Sequence, residues 1–266
     1  MTTAQQRWNA ADYAANSSAQ LAWAEELIRK LDLSGDEALL DIGCGDGKIS
    51  AQLAQALPQG RVHGIDLSAD MIQLARERFD GRRHPNLRFQ QMDATKIQLA
   101  KGFDVAFSTA ALHWVADHPA ILRGVHACLK PGGRFLFQMG GKGNAQAVYD
   151  ALLVVIPQGE WHPFLEDFAF PYHFLAPSDY EAWLPAIGFR LKRAELLPKE
   201  MRHPNREGLK GWLRTTWFPY TDCLPEAMRD NFLDAVVDQY LNTHPPDADG
   251  QTRVGMVRLE IEAEVA

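Results

Sequence analysis

The sequence predicts an α/β fold: a doubly wound, mostly parallel sheet of seven strands with helices on both faces, and a helical, aromatic-rich cap inserted late in the chain. Three observations carry that expectation. From residue 19 to residue 139, short apolar runs bounded by turn residues alternate with longer runs whose apolar residues recur at helical spacing. The first short run opens directly into a glycine turn and a helix, the junction at which such sheets bind ligands. Beyond residue 140 the alternation breaks, and it resumes only as two strand-like runs near the end.

Residues 19–31 place Leu21, Ala24, Leu27, Ile28 and Leu31 on one helical face. Ala38-Leu39-Leu40-Asp41-Ile42 has the composition of a buried strand, and after the glycine turn Ile49, Leu53, Ala54 and Leu57 mark a helix that Pro58-Gln59-Gly60 stops. Residues 61–66 form the second strand. Ser68 is placed to cap the next helix, which carries Met71, Ile72, Leu74, Ala75 and Phe79. Residues 87–92 and 103–108 are the third and fourth strands. A helix near 117–129 ends at Lys130-Pro131-Gly132-Gly133, and 134–139 form the fifth strand. Helical spacing continues over 144–155, followed by a stretch rich in proline and aromatics to 185. Residues 189–202 form the sixth strand. Two helices follow, the second opening at Pro225 and carrying Met228, Phe232 and Val236 on one stripe, and 251–265 form the last strand.

Bulk properties narrow the function classes. The net charge is −7, with 27 Lys and Arg against 34 Asp and Glu, which argues against a phosphate-tracking surface and so against a nucleic-acid partner. The three cysteines, Cys44, Cys128 and Cys223, are far apart and form no C-x-x-C pair, so no metal framework is expected and a reducing compartment is. No run of 18 apolar residues exists, and residues 1–12 lack the apolar centre of a secretory signal. The expectation is a cytoplasmic protein with no membrane partner, a monomer or weak homodimer, acting on a small molecule.

The central motif is Asp41-Ile42-Gly43-Cys44-Gly45-Asp46-Gly47. Glycines between a strand and a helix let the chain turn sharply and let a ligand approach the main chain. The dinucleotide fingerprint needs Gly or Ala where this chain has Lys48, counted from Gly43, or Ser50, counted from Gly45, and no P-loop pattern exists. Asp41 and Asp46 flank the turn. Two carboxylates are poor neighbours for a pyrophosphate but suit a ligand bearing an ammonium and a sulfonium. Asp66 ends the second strand, where a carboxylate can accept both hydroxyls of a ribose. Asp93 ends the third and can accept a hydrogen bond from an adenine amine, while Leu67 and Met71 are spaced to sandwich the ring. Singly, a strand-end Asp is more often a helix cap; three in order at successive strand ends say more.

These residues resemble the class I S-adenosylmethionine-dependent methyltransferases, closely over about residues 8–139. The resemblance implies a Rossmann-like sheet with S-adenosyl-L-methionine as cofactor and S-adenosyl-L-homocysteine as product. It implies that Gly43, Cys44, Gly45 and Gly47 face the methionine half, with Cys44 as a small filler, and that Asp41 meets the amino group directly or through water. By the same likeness Asp66 holds the ribose, Leu67 and Met71 the adenine, Asp93 its amine with the Ala94 backbone, and Ser108, Thr109 and Ala110 touch the methionine moiety. A nearer likeness is to the trans-aconitate methyltransferase group, carried by Trp8-Asn9, Tyr13, Ser18 and Gln20, by Leu112-His113-Trp114, and by Asp249-Gly250-Gln251. In that group the N-terminal segment closes over the cofactor, which implies that role for Tyr13 and Gln20. The domain organisation that follows has a cofactor-binding half at 1–139, cap or substrate-binding insertions at 140–188 and 203–248, and the final strands of the same sheet at 189–202 and 251–266.

Methyl transfer is an in-line displacement, so the protein chiefly aligns the reactants and excludes water. A carboxylate acceptor is already ionised and needs no base, whereas an alcohol, phenol or ammonium does. His113 is the base candidate near the expected site, although a histidine beside Trp114 is more often a hydrogen-bonded wall residue. A carboxylic acid would want a cationic partner, for which Arg214, Arg253 and Arg258 are placed late enough in the chain. Trp161, Tyr172, Trp217 and Tyr220, with His113, Trp114 and Arg214, are the candidate acceptor contacts; the aromatics equally suit the core of the cap. The leading expectation is methylation of a carboxylate oxygen on a small, trans-aconitate-like organic acid. The alternatives are C- or N-methylation of another metabolite with His113 as base, and a cofactor-binding protein without catalysis.

Overall fold

The computed structural model describes the backbone of residues 18–266 and side chains from residue 21 onward. In chain order the elements before the break are α1 (Ser18–Lys30), β1 (Ala38–Ile42), α2 (Lys48–Ala56), β2 (Arg61–Asp66), α3 (Ala69–Arg78), β3 (Leu87–Gln91), β4 (Phe103–Thr109), α4 (His118–Cys128) and β5 (Leu129–Gly140). After it come α5 (Gln146–Val155), the single turn α6 (His162–Leu165), α7 (Pro177–Ile187), β6 (Phe189–His203), α8 (Arg206–Thr216), α9 (Phe218–Asp222), α10 (Glu226–Thr243) and β7 (Thr252–Val265).

The seven strands lie in the order β3-β2-β1-β4-β5-β7-β6. The pairs β3–β2, β2–β1, β1–β4 and β4–β5 are parallel, and β7 runs antiparallel to β5. The order reverses between β1 and β4, whose carboxyl ends form the crevice where such sheets take their ligands. Both faces are covered, as a parallel sheet requires. One face packs Leu40, Ile42, Ala106, Phe135 and Phe137 under Ile121 and Val125 of α4 and Tyr180 and Leu184 of α7. The other packs Leu39, Val105, Phe107 and Leu136 under Leu27 and Leu31 of α1 and Leu53 and Ala54 of α2. Strand alternation assigns the two sets.

The chain divides into two compact units. The sheet unit holds residues 20–142, 172–197 and 258–266; the second holds 143–171 and 198–257. This corrects the cap boundary expected at 140–188. Residues 172–188 belong to the sheet unit because α7 is not a cap helix: Tyr180 and Leu184 are fully buried in the core under β5, and the Tyr180 hydroxyl lies 2.7 Å from Nδ1 of His118 on α4. In the second unit α5 packs on α10, and α8 is tied to α10 by Arg206 with Asp234 and Asp238 and by Lys210 with Asp230 and Asp234.

Candidate active site at the carboxyl ends of the strands

Every position in β1 is buried, Asp41 included, at 1% exposure. Its Oδ2 accepts the Ser50 hydroxyl of α2 at 2.5 Å, and burial pushes the carboxyl up to about 7 against that bond, with the nearby Asp66 adding to the rise. Beyond β1 the turn is held by Gly43 and Cys44 N–H groups donating to the Ile65 carbonyl at 2.8 and 3.0 Å. Gly43 and Gly45 both have left-handed φ, 75° and 54°. They are glycine for different reasons. A Cβ on Gly43 would stand 2.2 Å from the Cβ of Ala111, so the turn and the exit of β4 are packed against each other. A Cβ on Gly45 would meet nothing within 4 Å, which leaves its main chain open to a ligand.

Asp66 is fixed by backbone donors, Gly45 N–H to Oδ2 and Ser68 N–H to Oδ1, each at 2.9 Å. Burial lifts its carboxyl above the ordinary value, and those N–H groups with that of Leu67 oppose the rise. Leu67 is 66% exposed, an isolated large apolar side chain beside this carboxylate, whereas Met71 is 4% exposed. Of that pair, only Leu67 offers an open apolar face. Asp93 caps the short turn Ala94–Lys96: its Oδ1 accepts the Thr95 N–H and hydroxyl, both at 2.8 Å. Burial raises this carboxyl, but the bonds from Thr95 and the charge of Lys96 together outweigh it and hold it low.

Two expectations about the turn need correction. Asp46 is not a bare carboxylate facing a ligand, because Arg78 bonds it at 2.5 Å and Lys48 stands at 3.3 Å. Ser108 does not present its side chain at the strand end: it is fully buried, and its hydroxyl donates to the Ile42 carbonyl at 2.7 Å. Alternation along β4 turns Ser108 to the face of Ala106 and leaves Thr109 on the face of Phe107, the side that carries Asp41. Ala110 leaves the strand with a left-handed φ of 55° and donates its N–H to the Gln138 carbonyl at 2.9 Å. Cys44 is buried, its thiol pushed up by burial and then by Asp41 and Asp66, as expected of a filler. Tyr13 lies outside the described residues, and the side chain of Gln20 does too.

The candidate acceptor residues separate by unit. In the sheet unit His113 has ring centroids 5.7 Å from Trp114, 6.2 Å from Tyr172 and 6.0 Å from Phe174. Its Nδ1 accepts the Gly140 N–H at 3.5 Å, which puts the imidazole proton on Nε2. Burial, then the positive charge of Arg258, hold His113 well below the ordinary histidine range. In the second unit the half-buried Trp161 donates to the Val155 carbonyl at 2.9 Å and packs edge-on against Phe232. Trp217 and Tyr220 are buried, with Phe168 4.7 Å from Tyr220. Arg214 is exposed near the end of α8.

Of the other arginines weighed as acid partners, Arg253 is a surface residue bonded to Asp247 at 2.9 Å and Glu200 at 3.4 Å. Arg258 is 4% exposed, lies opposite Gly140 across β5 and β7, and stacks over Trp23 at 5.4 Å. The signal for it is in the sequence: Arg258 and Glu260 fall on the inward register of a strand whose other face is Leu259, Ile261 and Ala263. The same register buries Glu260 completely, where Lys30 at 2.9 Å, Gln138 at 2.9 Å and Arg193 compensate it.

A parallel sheet with one antiparallel strand beside β5, a glycine turn after β1 and fixed carboxylates after β1 and β2 define a Rossmann-like nucleoside-binding enzyme with no phosphate-binding loop. Residues 39–133 match the family described as a methyltransferase domain. The chain is 31% identical over 262 residues to trans-aconitate 2-methyltransferase of Paracidovorax citrulli, covering 96% of this chain and 97% of that one. It is 33% identical over 207 residues to an uncharacterized methyltransferase of Schizosaccharomyces pombe, covering 73% and 77%. A solved methyltransferase structure from Bacillus halodurans superposes with a TM-score of 0.62 at 17% identity, covering 91% of this chain and 98% of that one, and shares the fold. The chain belongs to the S-adenosylmethionine-dependent methyltransferases, and S-adenosylmethionine is its cofactor. Among the described residues no helix is long and apolar enough to cross a membrane.

Proposed function

We propose that this enzyme methylates a carboxylate oxygen of a small organic acid of the trans-aconitate type. The observation that carries the reading is the His113 ring. Its Nδ1 is spent on the Gly140 N–H, and burial and Arg258 depress its basicity. A side chain so placed is a neutral hydrogen-bond donor rather than a proton acceptor, which suits an acceptor that arrives ionised. The relatives named trans-aconitate 2-methyltransferase, at 31% and 32% identity over most of their length, support the same substrate class.

The strand ends fit the cofactor. The open main chain at Gly45 and the turn from Gly43 to Gly47 would take the methionine half with Thr109 and Ala110, and Asp41 its amino group. Asp66 would take the ribose hydroxyls, Leu67 one face of the adenine, and the remaining oxygen of Asp93 with Ala94 its amine. When bound, S-adenosylmethionine would supply an electrophilic methyl group on a sulfonium leaving group, and an ionised carboxylate acceptor would need no proton removed. The protein's share is alignment and exclusion of water, for which Trp114, Tyr172 and Phe174 supply apolar walls around His113.

The test is incubation of purified protein with methyl-labelled S-adenosylmethionine and a panel of polycarboxylic acids, phenols and amines. Label in an acid, with none in phenols or amines, is the expected result. Turnover of a phenol or amine without any acid would defeat the carboxylate reading and favour His113 as base.

A further inference from the structure

The aromatic walls around His113 ride on loops, and helix α7 ties those loops down. Leu112–Trp114 is a single turn after β4 and carries His113 and Trp114. Residues 172–175 lie against it. The His173 N–H donates to the His113 carbonyl at 2.7 Å, and the Leu175 carbonyl accepts the Lys142 N–H at 2.8 Å beyond the end of β5. Tyr172 and Phe174 stack 5.3 Å apart beside His113. The chain then enters α7, where the Ala176 N–H donates to Asp179 Oδ2 at 2.8 Å.

The turn reaches α7 by another route. His118 opens α4, and its ring is 1% exposed. Nδ1 lies 2.7 Å from the hydroxyl of Tyr180, which is fully buried on α7. Burial, then His173, depress the ring to about 4, so it is neutral and carries one N–H. The Leu112 and Val115 carbonyls oppose that fall, so they face an N–H of the ring. Nδ1 is taken by Tyr180, which leaves Nε2, a buried nitrogen that closes no full hydrogen bond among the described residues. Tyr180 therefore donates to Nδ1, the nearer of its acceptors, with Met139 Sδ at 3.7 Å. The proton stays on Nε2 and points at the two carbonyls; the other tautomer would point a lone pair at them.

We propose that Tyr180 and His118 are positioning residues for methyl transfer: through them α7 fixes the turn that carries His113 and Trp114, as it fixes Tyr172 and Phe174 through the chain that leads into it. This rests on the reading of those four side chains as the acceptor walls. Neither positioning residue touches the reactants. Their effect is geometric, because an in-line displacement depends on alignment and a misplacement of about 1 Å costs about 100-fold in rate. A hydrogen bond sets distance and direction between α4 and α7, whereas apolar contact between them is non-directional.

The test is Tyr180→Phe, which removes the hydroxyl and keeps the ring. Turnover of trans-aconitate is measured per S-adenosylhomocysteine-binding site, so that unfolded protein does not count. The expected result is about a 10-fold lower kcat with the KM for S-adenosylmethionine within about twofold. Nuclear magnetic resonance of histidine-labelled protein gives a second readout that needs no acceptor: the ring-nitrogen resonances of His113, assigned by their absence in His113→Phe, are expected to move in Tyr180→Phe. Wild-type kcat per site, or unmoved His113 resonances, overturns the proposal. Leu184→Ala is the comparison, since it loosens the same helix and deletes no hydrogen bond; its kcat per site is expected within about twofold of wild type. A loss as large as that of Tyr180→Phe would mean that loosening α7 suffices, and would overturn the assignment to the pair. Should Tyr180→Phe take up no S-adenosylhomocysteine, His118→Gln, which keeps a donor amide and loses the bond to Tyr180, decides by the same readouts. Wild type that methylates a phenol or amine and no acid rejects the acid reading itself. The His113 resonances then still decide the positioning assignment, so the two failures are separable.

Discussion

Alanine at Gly43 and alanine at Gly45 are expected to fail in different ways, and the difference tests how the turn is built. Both residues have positive φ, 75° and 54°, so each substitution carries the left-handed penalty of about 1–2 kcal/mol. At Gly43 the new methyl would stand 2.2 Å from the Ala111 Cβ, and the turn after β4 must move. Overpacking of that kind adds about 1–3 kcal/mol, for a total of about 2–5 kcal/mol. At Gly45 nothing lies within 4 Å, so the folding cost stops at the backbone penalty. The methyl instead occupies the space assigned to the methionine half of the cofactor. Urea unfolding of the ligand-free protein should show a clearly larger loss for Gly43→Ala. Calorimetry with S-adenosylhomocysteine should show at least about a 10-fold loss for Gly45→Ala, a contact loss of about 1.4 kcal/mol or more. A Gly45→Ala protein that is as stable as expected and binds S-adenosylhomocysteine like wild type would refute the assignment of that open space.

Three further outcomes follow from the same structure. Asp66→Asn should weaken S-adenosylhomocysteine by about 10- to 100-fold, the worth of hydrogen bonds to an ionised acceptor, and unchanged affinity by calorimetry would remove Asp66 from the ribose site. His118 is buried against Tyr180 and depressed to about 4 by burial, then by His173. Its folded pKa is below the unfolded value, so the neutral form is the one the fold favours. Its contribution of about 3 kcal/mol is present above about pH 6.5 and lost as pH falls toward 4. Asp41, pushed up to about 7, acts in the opposite sense between its unfolded value and 7, so the readout is the difference between wild type and His118→Phe in urea midpoints at pH 5 and pH 7. Equal pH dependence in the two proteins would contradict the His118 assignment. Arg193→Met leaves the fully buried Glu260 with Lys30 and Gln138 alone and should cost about 3 kcal/mol in the same assay, whereas no loss would mean that those two suffice.

Much of this was legible before any coordinates, and what was not has a physical reason. The strands up to β5 could be read because each is an apolar run closed by turn residues, and the turn at 43–47 because only a ligand or a close approach justifies so many glycines. The fates of Asp46 and Ser108 were not legible. Whether a turn carboxylate faces a ligand depends on Arg78, a residue on another helix, and whether a strand-end hydroxyl is available depends on which face the pleat assigns it. Spacing does not carry that information. The aromatics at 161–174 were ambiguous in the sequence for a similar reason: Trp161 packs on Phe232 while Tyr172 and Phe174 stack near His113, a split made by the path of the chain. Arg258 was visible as a candidate, and its inward register on β7 singles it out from Arg214 and Arg253.

The most direct test of the proposed chemistry is the fate of the transferred methyl group. Wild-type protein, methyl-labelled S-adenosylmethionine and trans-aconitate are allowed one turnover, and the product is treated with mild alkali. Release of the label as methanol is the expected result, since only a methyl ester hydrolyses that way. Label that survives alkali on carbon or nitrogen would contradict a carboxylate acceptor.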